Sequence, residues 1–71
     1  MKEIPIYTEY ITLSQFLKLA SIINTGGEAK SYLKDSHILI NGEEDNRRGR
    51  KLRVGDKIEV LNEIYLIVNE S

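Results

Sequence analysis

Arg47, Arg48, Arg50, Lys51 and Arg53 place half of the chain's 10 basic residues within seven positions. A guanidinium presents a planar fork of donors that matches phosphate oxygens, whereas an ammonium acts as a point charge, so a run with four arginines suits a ligand rich in phosphate. Gly49 inside the run lets the backbone turn or approach a ligand. Glu43, Glu44 and Asp45 lie just upstream. A second reading of the same run is therefore a solvated loop whose arginines pair with those carboxylates. The formal net charge of −1 conceals this segregation, because clustered charge produces a local positive potential on a protein with no net positive charge.

Thr25-Gly26-Gly27 offers a second anion site, since glycines at a helix start expose backbone N–H groups and let a phosphate come close. The other reading is that the glycines permit a sharp corner between helices. Lys30 and Lys34 follow as an i, i+4 basic pair. Catalytic chemistry fares worse. The chain has no Cys and a single His, His37, which has no second His for a metal and reads as a solvent-facing residue before a strand. Glu43-Glu44-Asp45 lacks the alternation and distal Glu of a calcium loop. No enzymatic activity and no cofactor are expected.

The elements that carry these residues must fit into 71 residues, enough for one small domain (1–71) without disulfide support. The 41% hydrophobic and 30% charged composition is globular. No apolar run approaches a membrane span, and Met1-Lys2-Glu3-Ile4 lacks the apolar stretch of a signal peptide, which points to the cytoplasm. Ile4-Pro5-Ile6-Tyr7 reads as an edge strand, the place where Pro5 is tolerated. Thr12 and Gln15 have capping-box spacing and Ile11 and Phe16 the spacing of a hydrophobic staple, so a helix opens at Thr12 with Leu13, Phe16, Leu17, Ala20 and Ile23 on its apolar face. Thr25 and Glu28 repeat the capping-box spacing for a second helix bearing Ala29, Tyr32 and Leu33.

Beyond His37 the period changes. Ile38-Leu39-Ile40 leads into the turn signal Asn41-Gly42. Residues 43–51 have no apolar member and read as turn, loop or exposed edge. Val54-Gly55-Asp56 is a turn, Lys57 to Val60 a strand, Asn62-Glu63 a turn, and Ile64 to Val68 a strand apolar enough to be covered on both faces. The fold class is α+β, with two N-terminal helices packed on a small, mainly antiparallel sheet. Phe16 and Tyr32 belong to helix faces, and Tyr7, Tyr10 and Tyr65 read as core or sheet residues, leaving no stacking platform for single-stranded bases.

From Thr12 to Val60 the order of motifs resembles the S4-type RNA-binding domain (the alpha-L motif). The matching stretches are Leu13 to Lys18, Glu28-Ala29-Lys30, Ile38 to Gly42, and Leu52 to Ile58; the last two, at this separation, are the most specific. The Arg47 to Lys51 run and the length are most similar to small standalone YaaA-type members of bacteria. Ile40 to Glu43 is also similar to a hairpin of ubiquitin-like sulfur carriers, but the chain closes on Asn69-Glu70-Ser71 where those need Gly-Gly.

The S4 resemblance implies that RNA lies against the helical corner and the basic loop. It implicates Lys18, Thr25, Gly26, Gly27, Lys30, Lys34, Arg47, Arg48, Arg50, Lys51 and Arg53. Thr12-Leu13-Ser14 stands where many members carry Arg-Leu-Asp, and Gly26-Gly27 where many carry Ser-Arg, which shifts weight to backbone amides and the downstream arginines. The expected ligand is structured RNA, ribosomal or in an assembling ribosomal particle, read through backbone and shape. A ribosomal or replication-associated protein partner is left open, a monomer is expected, and the competing function is a protein-interaction module whose Arg cluster grips an acidic partner.

Overall fold

The computed structural model describes residues 1–70. The elements run β1 (Lys2–Ile6), β2 (Ile11–Thr12), α1 (Leu13–Leu19), a 3₁₀ turn (Gly26–Glu28), α2 (Ala29–Asp35), β3 (Leu39–Ile40), β4 (Glu43–Glu44), β5 (Lys51–Leu52), β6 (Lys57–Val60) and β7 (Glu63–Asn69). The α+β class and the mainly antiparallel sheet are present. The helices are not N-terminal, however, because β1 comes first. The larger sheet has the order β1-β7-β6-β3-β4. Only β1 and β7 pair in parallel; β7–β6, β6–β3 and β3–β4 are antiparallel. β1 is at the edge, as Pro5 requires.

Helix α1 begins as its sequence dictates. The Thr12 hydroxyl accepts from Gln15 N–H at 3.2 Å, and Gln15 Oε1 accepts from Thr12 N–H at 2.8 Å. It ends earlier than the apolar spacing suggested. Ser21 adopts φ 61°, its N–H donates to the Lys18 carbonyl at 3.0 Å, and Ile22 N–H donates to Leu17 at 2.9 Å. These are the two bonds of a Schellman ending, built here without glycine. Ile23 is therefore buried from the connection and not from the helix.

Two turns are of the type whose central residues both have positive φ. Asn41-Gly42 (53° and 85°) joins β3 to β4, so Glu43-Glu44 is an exposed edge strand. Leu61-Asn62 (55° and 62°) joins β6 to β7, one residue earlier than the Asn62-Glu63 reading. Tyr65 and Ile67 are buried while Ile64 is exposed and Leu66 and Val68 are half-buried, so β7 is covered on one face and not on both. On the covered face, Phe16 and Tyr65 meet edge-to-face at 5.2 Å within a core that includes Leu13, Leu17, Leu33, Ile58 and Ile67. No helix among the described residues is long and apolar enough to cross a membrane.

β2 and β5 form a separate two-stranded ribbon, with Ile11 opposite Leu52 and Thr12 opposite Lys51. Nothing in the sequence announced this ribbon, and it positions much of the candidate site.

Candidate nucleic-acid interface

The basic loop is seated on the start of α1. Leu13 N–H donates to the Arg50 carbonyl at 2.8 Å and Ser14 N–H to the Arg48 carbonyl at 3.1 Å. With Gln15 N–H held by Thr12, the first-turn donors of α1 have partners inside the protein, which leaves them no part in binding an external anion. These two bonds tie the loop backbone to the helix.

Downstream, the turn that carries Arg53 is braced. Asp56 Oδ2 accepts from Arg53 N–H at 2.8 Å, and Asp56 Oδ1 accepts from Asn41 Nδ2 at 3.1 Å. Asn41 Oδ1 in turn accepts from Lys57 N–H at 3.0 Å. The Asn41-Gly42 and Gly55-Asp56 motifs are thus one hydrogen-bonded unit, and Gly55, at φ 96°, supplies the backbone angle it needs.

At the helical corner, Glu28 does the knitting. Its Oε1 accepts from Asn24 N–H, Thr25 N–H and the Thr25 hydroxyl at 3.2–3.4 Å. Thr25 caps a 3₁₀ turn that leads into α2. Neither Gly26 nor Gly27 has positive φ. A Cβ on Gly26 would lie 4.0 Å from Ser14 Oγ, and one on Gly27 3.8 Å from Thr25 Oγ1, both ordinary contacts. The corner therefore does not require glycine, which removes the packing explanation for the pair.

A profile of the S4 domain matches residues 4–68. The chain belongs to the S4 domain family. A Bacillus subtilis (strain 168) protein described as "Probable ribosome maturation protein RlbA" is 60% identical over 57 residues, 80% of each chain.

Within this S4 domain the basic residues do not form one patch. Arg47 and Arg50 are bound to Asp45, at 2.8 Å and 3.2 Å. The side chain of Asp45 is only 15% exposed and its Oδ1 also accepts from Arg47 N–H, so the loop folds around this carboxylate. Hydrogen bonds from Arg47, with the nearby charges of Arg47 and Arg50, hold the Asp45 carboxyl down at about 2. The pairing reading holds for Asp45 alone. Glu44 instead meets His37 Nδ1 at 2.6 Å on the surface.

Arg48 goes elsewhere. It shares a shallow groove with Lys30, Leu33, Lys34 and Asn46, between α2 and the loop. Among the described residues, Arg48, Lys30 and Lys34 make no ion pair. Gly26 stands in the 3₁₀ turn that precedes α2, outside this groove, and Gly27 opens onto a different hollow with Ile22, Ile23 and Tyr32. Lys18 stands on α1 one turn beyond Ser14, the residue nearest Gly26.

Lys51 and Arg53 form a third group, over the ring of Tyr10 at 5.0 Å and 5.5 Å. Tyr10 was absent from the sequence-derived site, and with Tyr7 it corrects the core-or-sheet reading, for both are exposed. The placement follows from the ribbon: Ile11 and Leu52 are buried register partners, so their neighbours point out. No cluster of three or more metal-ligating side chains occurs among the described residues.

Proposed function

We propose that this S4 domain is a non-enzymatic RNA-binding module whose ligand is structured ribosomal RNA, met in an assembling ribosomal particle. The observation that carries the reading is the groove where Lys30, Lys34 and Arg48 converge from two elements with no acidic partner among the described residues. Converging cations with no internal counterion fit a phosphate backbone, whose neutralisation releases condensed counterions. The family supports RNA as the ligand class, and the relative named as a ribosome maturation protein supports a ribosomal setting. Thr25 and Gly26 would let the backbone of the RNA approach the corner, with Gly27 on the adjoining hollow, and Lys18 would extend the contact along α1. Arg47 and Arg50, tied to Asp45, would serve chiefly to shape the loop that presents Arg48.

Crosslinking in cells of the source organism, followed by sequencing of the attached RNA, tests this. Enrichment of ribosomal RNA over its abundance in untreated lysate is the expected result. An association that survives nuclease treatment, with no RNA attached, would replace this reading with an acidic protein partner.

A further inference from the structure

The outward face of the β2–β5 ribbon carries Tyr10, Thr12, Lys51 and Arg53, because their neighbours Ile11 and Leu52 are buried register partners. Tyr10 is 37% exposed, and two cations lie over its ring. An open hollow beside it is lined by Thr8, Glu9, Thr12, Gln15 and Tyr10 itself, and neither cation lines that hollow. Charge is therefore divided about the ring, with cations toward β5 and the acidic residue Glu9 among those that line the hollow.

We propose that this is a single-nucleotide site in which an unpaired base of the bound RNA stacks on Tyr10 and its phosphate is held by Lys51 and Arg53. The inference rests on the RNA reading above and adds a residue and a ligand class to it. Every base offers a π-face to an aromatic ring, and an aromatic flanked by cations is the arrangement that holds single-stranded nucleic acid. The division of charge sets the orientation: Glu9 repels a phosphate from the hollow, which leaves that space to the base. Gln15 has its Oε1 committed to Thr12, so its amide N–H groups are the donors that remain for a base edge. The cation contacts also hold the ring in place before RNA arrives, reducing the ordering cost of binding.

The probes are two hairpin RNAs, one blunt and one with a short 3′ single-stranded extension carrying 2-aminopurine. Both are titrated against the full chain, Tyr10→Phe and Tyr10→Ala. The expected result is that the extension tightens binding by about tenfold and its fluorescence is quenched. Tyr10→Phe should keep both effects. Tyr10→Ala should lose both while binding the blunt hairpin like the parent chain. An extension that adds nothing and stays bright, with the blunt hairpin still bound, overturns the nucleotide site and leaves the RNA reading standing. Equal weakening of both RNAs by Tyr10→Ala also overturns it, since the ring would then act only by placing Lys51 and Arg53. Failure of the parent chain to bind either hairpin removes the RNA reading and this site together.

Discussion

The N–H of Ser14 donates to the carbonyl oxygen of Arg48 at 3.1 Å, so one hydrogen bond joins the first turn of α1 to the residue that the loop projects toward α2. The loop is consequently part of the helical layer, and its arginines differ in availability. Arg48 lines a groove with Lys30 and Lys34, whereas the Arg50 side chain is 29% exposed and bound to Asp45.

Charge reversal should separate the two arginines. Arg48→Glu should weaken RNA binding and flatten the slope of log K against log[salt] by about 0.7–0.9, one phosphate contact, with further loss from repulsion. The triple change of Lys30, Lys34 and Arg48 to Gln should flatten it by roughly 2–3. Arg50→Glu should act mainly on stability, because it sets two carboxylates against each other at Asp45. Titrations at several salt concentrations, with urea melts of each variant, check the division.

Gly26→Ala should leave the fold intact, since its Cβ meets nothing closer than 4.0 Å. Relieving the unfolded chain of a glycine should add about 0.4–1 kcal/mol of stability. RNA affinity should nevertheless fall if a phosphate comes against this backbone. A thermal melt and a binding isotherm on the same variant give the two numbers, and unchanged affinity would remove the corner from the interface.

Asp45 gives a pH dependence with a definite sign. Its carboxyl titrates at about 2 in the fold, below the value near 3.9 usual for an unfolded chain. The unfolded state therefore binds the proton first as pH falls. The stabilisation is complete above about pH 5 and fades between there and pH 2. Asp45→Asn keeps an oxygen for Arg47 N–H but not the charge, so urea midpoints from pH 5 to 2 should fall less steeply in that variant.

Ser21 and Leu61 both occupy the left-handed region, which costs an L-residue roughly 1–2 kcal/mol. Ser21→Gly and Leu61→Asn should each raise stability by about 0.5–1 kcal/mol, as residues that visit this region routinely. Leu61 is 65% exposed, so no core contact is lost with it. Guanidinium melts of the single variants are sufficient.

These two residues also show where sequence reading stops. Thr12 with Gln15, and Asn41 with Gly42, mark their elements because those residue types satisfy specific backbone groups or angles, and the structure uses them so. Ser21 ends α1 and Leu61 turns a hairpin by tolerating angles that neither residue type advertises. The apolar run of β7 misled for another reason: Leu66 and Val68, on the face opposite the buried Tyr65 and Ile67, are only half-buried. In the candidate site, the concentration of charge in residues 47–53 was legible, but its partition was not. Whether Asp45 or solvent receives Arg50 depends on where the loop docks, and Tyr10 meets Lys51 and Arg53 only because two-residue strands far apart in sequence pair. A two-residue strand has no period to read.

The parallel pairing of β1 with β7 sets the order in which this protein can assemble as it is synthesised. Lys2 is the register partner of Tyr65 and Ile6 that of Asn69, so β1 has no ladder to join until more than 60 further residues have been made. The α1–α2 corner and the β3–β4 hairpin each join segments close in sequence and precede β7 in the chain. The sheet cannot, because β7 lies between β1 and β6 and is the last strand to emerge. Until then Ile4 and Ile6 lack the strand against which they are buried, and such long-range closure is slow relative to local structure. The residues of the helical corner and the basic loop are therefore all in place in the chain before the sheet behind them can close.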